Sequence, residues 1–281
     1  MMRLWSRDAL PALPPLRLAV VGHVEWVSFL AVDQLPAAGL IGHAERFLEE
    51  PAGGGAVAAV QLARLLGQPV PFFTALGRDG IGEQTVERLS ALGLEVHVAW
   101  RETPTRRGVS FVDGVGDRSI TVIGERLTPT AADPLPWPEL AHCDGVFVTA
   151  ADAAALRACR AATMLAATPR LRLEVLREAE VTLDALIGSG LDPGEAVPEG
   201  SLPLPPRLQI ATEGAEGGLV RPGGRFTAPA LQEPVVDSYG CGDSFAAGVT
   251  AGLAAGWSVE QAVSLGCHCG AACAIRFGPY G

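Results

Sequence analysis

The stretch Glu233–Gly256, EPVVDSYGCGDSFAAGVTAGLAAG, decides how this chain is read. Gly240-Cys241-Gly242 makes a glycine-bracketed turn, and Asp243 opens a run of small, helix-compatible residues. A helix N-terminus presents unpaired N–H groups and about half a positive charge. Glycines ahead of it let the main chain come close to a ligand. Together these make an anion site suited to phosphate. A carboxylate at the same place repels a bound anion, so it needs a reason. The local reason is helix capping, since Asp is a favoured N-cap. The chemical reason is that Asp243 takes a proton from an incoming hydroxyl while the N–H groups of Gly240, Cys241 and Gly242 hold a transferring phosphoryl group. Such transfer needs positioning and charge neutralisation more than covalent chemistry. On that reading the helix field is expected to keep Asp243 ionised.

Working outward, LRLAVVGHV is a short apolar run ending at Gly22, the pattern of a buried first strand. GGGAVAAVQLARLLG is a glycine turn opening a helix that stops at Gly67, PVPFFTALG is a second strand, and DGIGEQTVERLSALG is a helix with a stop at Gly93. VEWVSFLAVDQLP reads as a half-covered strand, and LEVHVAW, RRGVSFVDG and DRSITVIG read as a run of short strands. GGLVRPGGRFTAPA reads as a hairpin. Strand–helix alternation predicts an α/β fold: a doubly wound, mostly parallel sheet with helices on both faces. The β pieces at about 24–48 and 96–124 have no helices between them and are expected to form a small second sheet, a lid over the carboxyl ends of the main strands. Residues 1–16, rich in proline, read as a poorly ordered arm, leaving 17–281 as the folded domain.

Bulk properties narrow the function. A formal charge of −10 over 281 residues argues against a nucleic-acid surface. All 21 basic residues are arginine, so a lysine-containing phosphate loop and Schiff-base catalysis are excluded. No apolar run reaches the roughly 18 residues of a membrane helix. The N-terminus lacks the apolar core of a signal peptide, so the cytoplasm is the expected compartment. Cys267, His268, Cys269 and Cys273 suggest a metal cluster at first sight. On a helix, however, Cys267 and Cys269 point to different faces, so buried apolar packing is the expectation. Gly22 is followed by His23-Val24-Glu25, so the dinucleotide fingerprint G-x-G-x-x-G is absent.

The motif DSYGCGDSFAAG resembles the C-terminal signature of the ribokinase-like, or PfkB-type, carbohydrate kinases, D-T-x-G-A-G-D-x-F, with Asp237, Gly240, Gly242, Asp243 and Phe245 in register and Cys241 in place of alanine. GGGAVAAVQLARLLG, ALGRDGIGEQTVERLSALGLEV, TRRGVSFVDGVGDRSITV and TEGAEGG resemble further family segments in the same order, so the resemblance runs from Arg17 onward. It implies transfer of the γ-phosphoryl of ATP, with Mg²⁺, to a hydroxyl of a small sugar, sugar acid or related polyol. Asp243 would be the general base and Gly240, Cys241 and Gly242 the anion hole. Ser189, Thr212, Gly214 and Gly217 would line the nucleotide site, and Gly53 and Gly54 would lie against the acceptor. Asp237 matches a carboxylate that sits by a monovalent cation such as K⁺ in several members.

The departures bear on substrate. Where the family has N-x-x-E near the phosphates, this chain has Ser189 and Asp192, so Asp192 is the candidate for holding Mg²⁺ through water, or an ordinary turn residue. The family's sugar-binding aspartate is Val27 here, and its helix asparagine is Ala58. Glu25 or Asp33 is then the candidate substitute carboxylate. Arg106 and Arg107, on an expected lid strand, are candidates for an acidic or phosphorylated acceptor, Arg107 foremost. The competing reading is a non-catalytic or regulatory relative that binds nucleotide or sugar without turnover. A homodimer through the lid is expected, because an exposed small sheet finds a partner readily.

Overall fold

The structure, a computed structural model, describes residues 2–114, 116 and 118–280. The main sheet contains β1 (Leu18–Val21), β4 (Val70–Gly77), β5 (Leu94–Arg101), β8 (Gly145–Val148), β9 (Met164–Ala167), β10 (Ala185–Ser189), β11 (Leu208–Thr212), β12 (Gly218–Arg221) and β13 (Gly224–Phe226). Its strand order is β13-β12-β11-β10-β9-β8-β1-β4-β5. From β5 through β11 every pairing is parallel; the β12–β13 hairpin adds an antiparallel edge. The smaller sheet is β3-β2-β6-β7, from β2 (Glu25–Val32), β3 (Ala44–Ala52), β6 (Arg107–Val112) and β7 (Arg118–Ile123).

Strand alternation divides the core into two layers. Leu18, Val20 and Phe72 point into a cluster shared with α1 (Gly54–Leu66), α5 (Cys241–Ala254) and α6 (Val259–Ala274). Ala19, Val21, Phe73 and Ala75 point the other way, into a cluster shared with α3 (Ala153–Cys159) and α4 (Leu173–Ala179). α2 (Gly80–Ala91) covers β4 and β5 on the first face through Leu89. The helices start where the chain supplies caps: Asp79 accepts from Gly82 N, and Ser258 and Gln261 form a capping box. α1 stops at Gly67, whose φ of 63° is the left-handed C-cap conformation. The three cysteines near the C-terminus are all buried along α6. Among the described residues no helix is long and apolar enough to cross a membrane.

Two features differ from the expectation. LEVHVAW is not part of the lid; it is β5, the edge of the main sheet, parallel to β4 over its whole length. The lid is built from 25–52 and 107–123 instead. The N-terminal arm packs down rather than hanging free. Met2 N donates to Arg225 O, Trp5 N to Ser264 Oγ, and Leu10 and Leu13 pack against the core. Its prolines keep it extended while its scattered apolar side chains give it something to bury.

The lid's inner face carries Glu25, Val27 and Phe29 toward the main domain, and Phe29 meets Tyr239 edge-on at 4.9 Å. In β7, Ile120 and Val122 pair with Ser110 and Gly108 on that same face yet remain 40% and 45% exposed, so the cleft beneath the lid is open.

Candidate active site

The site is assembled at the mouth of α5. Gly240 is the cap residue, at φ 80°, and a Cβ there would stand 2.9 Å from Val57 Cγ1; both conformation and space require glycine. Because Gly240 holds the cap position, Asp243 is not the N-cap; it lies in the first helical turn. Its carboxylate makes no hydrogen bond or ion pair with any described residue. Cys241 N–H makes only a long 3.4 Å bond to Ser238 O, and a Cβ on Gly242 would meet open space. Local backbone therefore does not consume this acid.

Asp243 keeps some exposed surface because it opens on the cleft, but protein surrounds it closely. Burial pushes its pKa up to about 6, against the pull of the nearby Arg170 charge; Glu195 adds to the rise, and Arg118 and Arg126 oppose it. The helix field was expected to keep the acid ionised; burial moves its pKa toward neutrality without reaching it. At pH 7 the group is still about nine-tenths carboxylate.

Gly54, at the start of α1, faces Asp243. A methyl at Gly54 would lie 2.7 Å from Asp243 Oδ1 and 3.6 Å from His23 Cε1, so carboxylate and imidazole flank the same bare α-carbon. Gly53 N donates to Tyr239 Oη at 3.0 Å, and Tyr239 Oη reaches Glu25 Oε1 at 3.5 Å. Glu25 is ion-paired with Arg106 at 3.1 Å, and its pKa is raised because burial outweighs that pairing. Arg126 Nη2 lies 2.7 Å from His23 Nδ1. A guanidinium can only donate, so Nδ1 accepts and Nε2 carries the imidazole proton. Burial and the neighbouring arginines hold His23 neutral, well below its ordinary pKa.

On the other side of the α5 mouth lies an apolar cavity of about 520 Å³. It is lined by Thr212, Gly214, Gly217, Phe226, Leu231 and Phe245, and by Cys241 and Gly242 of the α5 mouth. Charged groups also act on the acid: Arg170 Nε pairs with Glu195 Oε1 at 2.7 Å, and Arg170 Nη2 with Asp192 Oδ2 at 3.4 Å. Glu195 Oε2 also accepts from Ser189 N at 2.8 Å.

The model of the pfkB family carbohydrate kinases matches residues 16–189 and 203–280. The chain belongs to the pfkB family of carbohydrate kinases. It is 28% identical over 280 aligned residues to an ATP-dependent ribose-1-phosphate kinase of Halopiger xanaduensis, covering 94% of this chain and 93% of that protein. It is 44% identical over 75 residues, a quarter of each chain, to an acarbose 7(IV)-phosphotransferase of Actinoplanes sp.. In fold it is similar to a ribokinase from Thermotoga maritima, with TM-score 0.72, 22% identity and 94% of each chain covered.

Within this kinase fold the residues singled out from sequence do not all meet. Asp243, Gly240, Cys241, Gly242, Gly53, Gly54 and Glu25 converge on one cleft. Thr212, Gly214 and Gly217 line the adjoining cavity. Ser189 does not; its Oγ accepts from Leu191 N and Asp192 N, making it the brace of that turn. Asp33 is a correction: it is exposed just past the far end of β2, eight residues along an extended strand from Glu25, and takes no part in the cleft. Arg107 is another: it is exposed, and Arg106 is the arginine that turns inward to Glu25, because neighbouring strand residues face opposite sides. Val27 and Ala58 are fully buried in the core. Asp237 is completely buried, its oxygens accepting from Tyr239 N at 2.8 Å and Gly278 N at 3.0 Å. Sequence reasoning missed His23, Arg126, Arg170 and Glu195. Only Glu195, three residues past Asp192 in the same turn, carried a local signal.

Proposed function

We propose that this kinase transfers the γ-phosphoryl group of ATP to a hydroxyl of a small sugar-like acceptor, with Asp243 as general base. One observation carries the reading: a carboxylate without a hydrogen-bond or ion-pair partner among the described residues, in the first turn of α5, between an apolar cavity and a polar cleft under the lid. The cavity suits a nucleotide's base and ribose, and Thr212, Gly214 and Gly217 would bound it. The acceptor would enter beneath the lid, against Gly53 and Gly54, where the lack of side chains lets it reach Asp243. Its hydroxyl oxygen attacks the γ-phosphorus and gives its proton to Asp243, and the bond from the γ-phosphorus to the bridging oxygen breaks, releasing ADP. The N–H groups around Gly240, Cys241 and Gly242 would hold the phosphoryl oxygens as charge builds on them. An acid with a pKa of about 6 is a better proton acceptor than an ordinary aspartate and is still deprotonated at neutral pH.

Mg²⁺ fits the turn beside the cavity. Asp192 is half exposed and its Oδ2 is only loosely held, at 3.4 Å from Arg170, so it is free to take a water of a metal-bound nucleotide. When bound, the metal would neutralise phosphate charge. A monovalent cation fits Asp237: a fully buried carboxylate with no ion pair among the described residues is costly unless a positive charge or a proton accompanies it. The test of the function is transfer of γ-³²P from ATP to a panel of sugars and sugar derivatives. Label in a product with the wild type and not with Asp243→Asn supports the reading; ATP unused with every acceptor refutes it.

A further inference from the structure

The cleft contains one positive charge that the protein does not answer. Arg106 is matched by Glu25, and Arg170 by Glu195 and Asp192. Arg126 has no carboxylate partner among the described residues. Its bonds go to neutral acceptors: His23 Nδ1 at 2.7 Å, Thr149 O at 3.0 Å and Arg170 O at 2.9 Å. A guanidinium has five N–H groups, so two remain, and the Nε of Arg126 is a buried donor with no acceptor. Burial and the repulsion of Arg106 and Arg170 lower the pKa of Arg126 to about 10, so it remains a cation at neutral pH, under strain from like charges.

Its place in the fold is telling. His23 follows β1 and Thr149 follows β8, adjacent parallel strands. From β1 the chain runs to β4 on one side and later returns to β8 on the other, so the strand order reverses between β1 and β8. That crevice, outside the carboxyl ends of the strands, is where open α/β sheets take their ligands. Arg126 bridges it from the segment that follows the lid, beside the Arg106–Glu25 pair and the His23 ring. It is therefore on the lid side of Asp243, while the apolar cavity is on the other.

Resting on the kinase reading above, we infer that the acceptor is a sugar already bearing a phosphate, and that Arg126, with Arg106, receives this anion across the β1–β8 crevice. A phosphate supplies the acceptors that two idle N–H groups lack and the negative charge that Arg126, alone of the three clustered arginines, lacks. His23, holding its proton on Nε2, orients Arg126 through Nδ1. Glu25 disfavours a second anion on its side, so it limits where the phosphate sits. A neutral sugar's hydroxyls can accept hydrogen bonds from these N–H groups but leave the charge of the buried guanidinium unanswered.

The test compares steady-state kinetics with ATP on ribose 1-phosphate, ribose 5-phosphate and fructose 6-phosphate against ribose and fructose, for the wild type, Arg126→Gln, Arg126→Lys and Arg106→Gln. Circular dichroism melts screen for folding, and Arg106→Gln, which touches a different anchor, keeps the test open should Arg126→Gln not fold. The expected result is a preference for at least one sugar phosphate. Arg126→Gln should raise its KM about 10- to 150-fold, the range for losing a charged hydrogen bond, with the KM for ATP unchanged and partial rescue by Arg126→Lys. Neutral sugars used as well as their phosphates would overturn the inference and leave the kinase standing. So would an Arg126→Gln defect seen in the KM for ATP alone, which would assign the arginine to the nucleotide. Turnover of no acceptor at all would instead overturn the kinase reading on which the inference rests.

Discussion

Replacing Asp243 with asparagine should make the protein more stable while removing its activity. The carboxyl titrates near 3.8 when unperturbed and near 6 in the folded protein. The folded value is the higher one, so between these pH values the native state holds a proton that the unfolded chain has released. Stability therefore falls as pH rises from about 4 to 6, and stays at the lower level above that. A shift of about two units corresponds to ~3 kcal/mol at pH 8 for a fully enclosed group. Asp243 opens on a solvent-filled cleft, and screening there reduces the expected gain to roughly 1–2 kcal/mol. For a chain of this size that raises Tm by about 2–8 °C. The assay is a thermal melt of wild type and Asp243→Asn, without ligand, at pH 8, 7 and 6. The variant should melt higher at pH 8, and the gap should shrink toward acid pH, where the wild-type carboxyl is protonated too. A variant that melts lower at pH 8, or a gap that widens as pH falls, would refute the claim that burial rather than the helix field governs this acid.

On the proposed mechanism the same titration governs turnover. The proton acceptor must be ionised, so kcat/KM should climb with pH and level off above about 6, as a pH–rate profile with a saturating co-substrate will show. Gly54→Ala should abolish turnover and cost about 1–3 kcal/mol in a denaturant melt, since its methyl would lie 2.7 Å from Asp243 Oδ1; unchanged kinetics would mean that the wall is not where the acceptor meets the base. Gly240→Ala should destabilise by a similar amount, because it adds a contact 2.9 Å from Val57 Cγ1 to a left-handed backbone; a neutral effect in the same melt would count against a rigid α5 mouth.

Much of this fold was legible because its signals are local. A continuous apolar run marks β1, where both faces are buried, and glycines mark the caps of α1 and α5. β5 was misread for a physical reason. As an edge strand it is only half covered, so it shows the same mixed pattern as a lid strand, and no local feature says which sheet it joins. The choice between Arg106 and Arg107 fails the same way, since a shift of one residue exchanges the faces of a strand and the sequence does not reveal the register. Asp243 was singled out because the motif around it spans twelve contiguous residues. Arg126 was not, because its meaning depends on His23, 103 residues away, and on the strand reversal that brings them together.

The most direct test of the account is a rapid-quench measurement of a single turnover with wild type and Asp243→Asn, using ATP and the best acceptor from the panel, at pH 7.5. If Asp243 is the base, the variant should bind both substrates and transfer the phosphoryl group about 10²–10⁴ times more slowly. A transfer rate within a few-fold of wild type would contradict the account, because the hydroxyl would then lose its proton without this carboxylate.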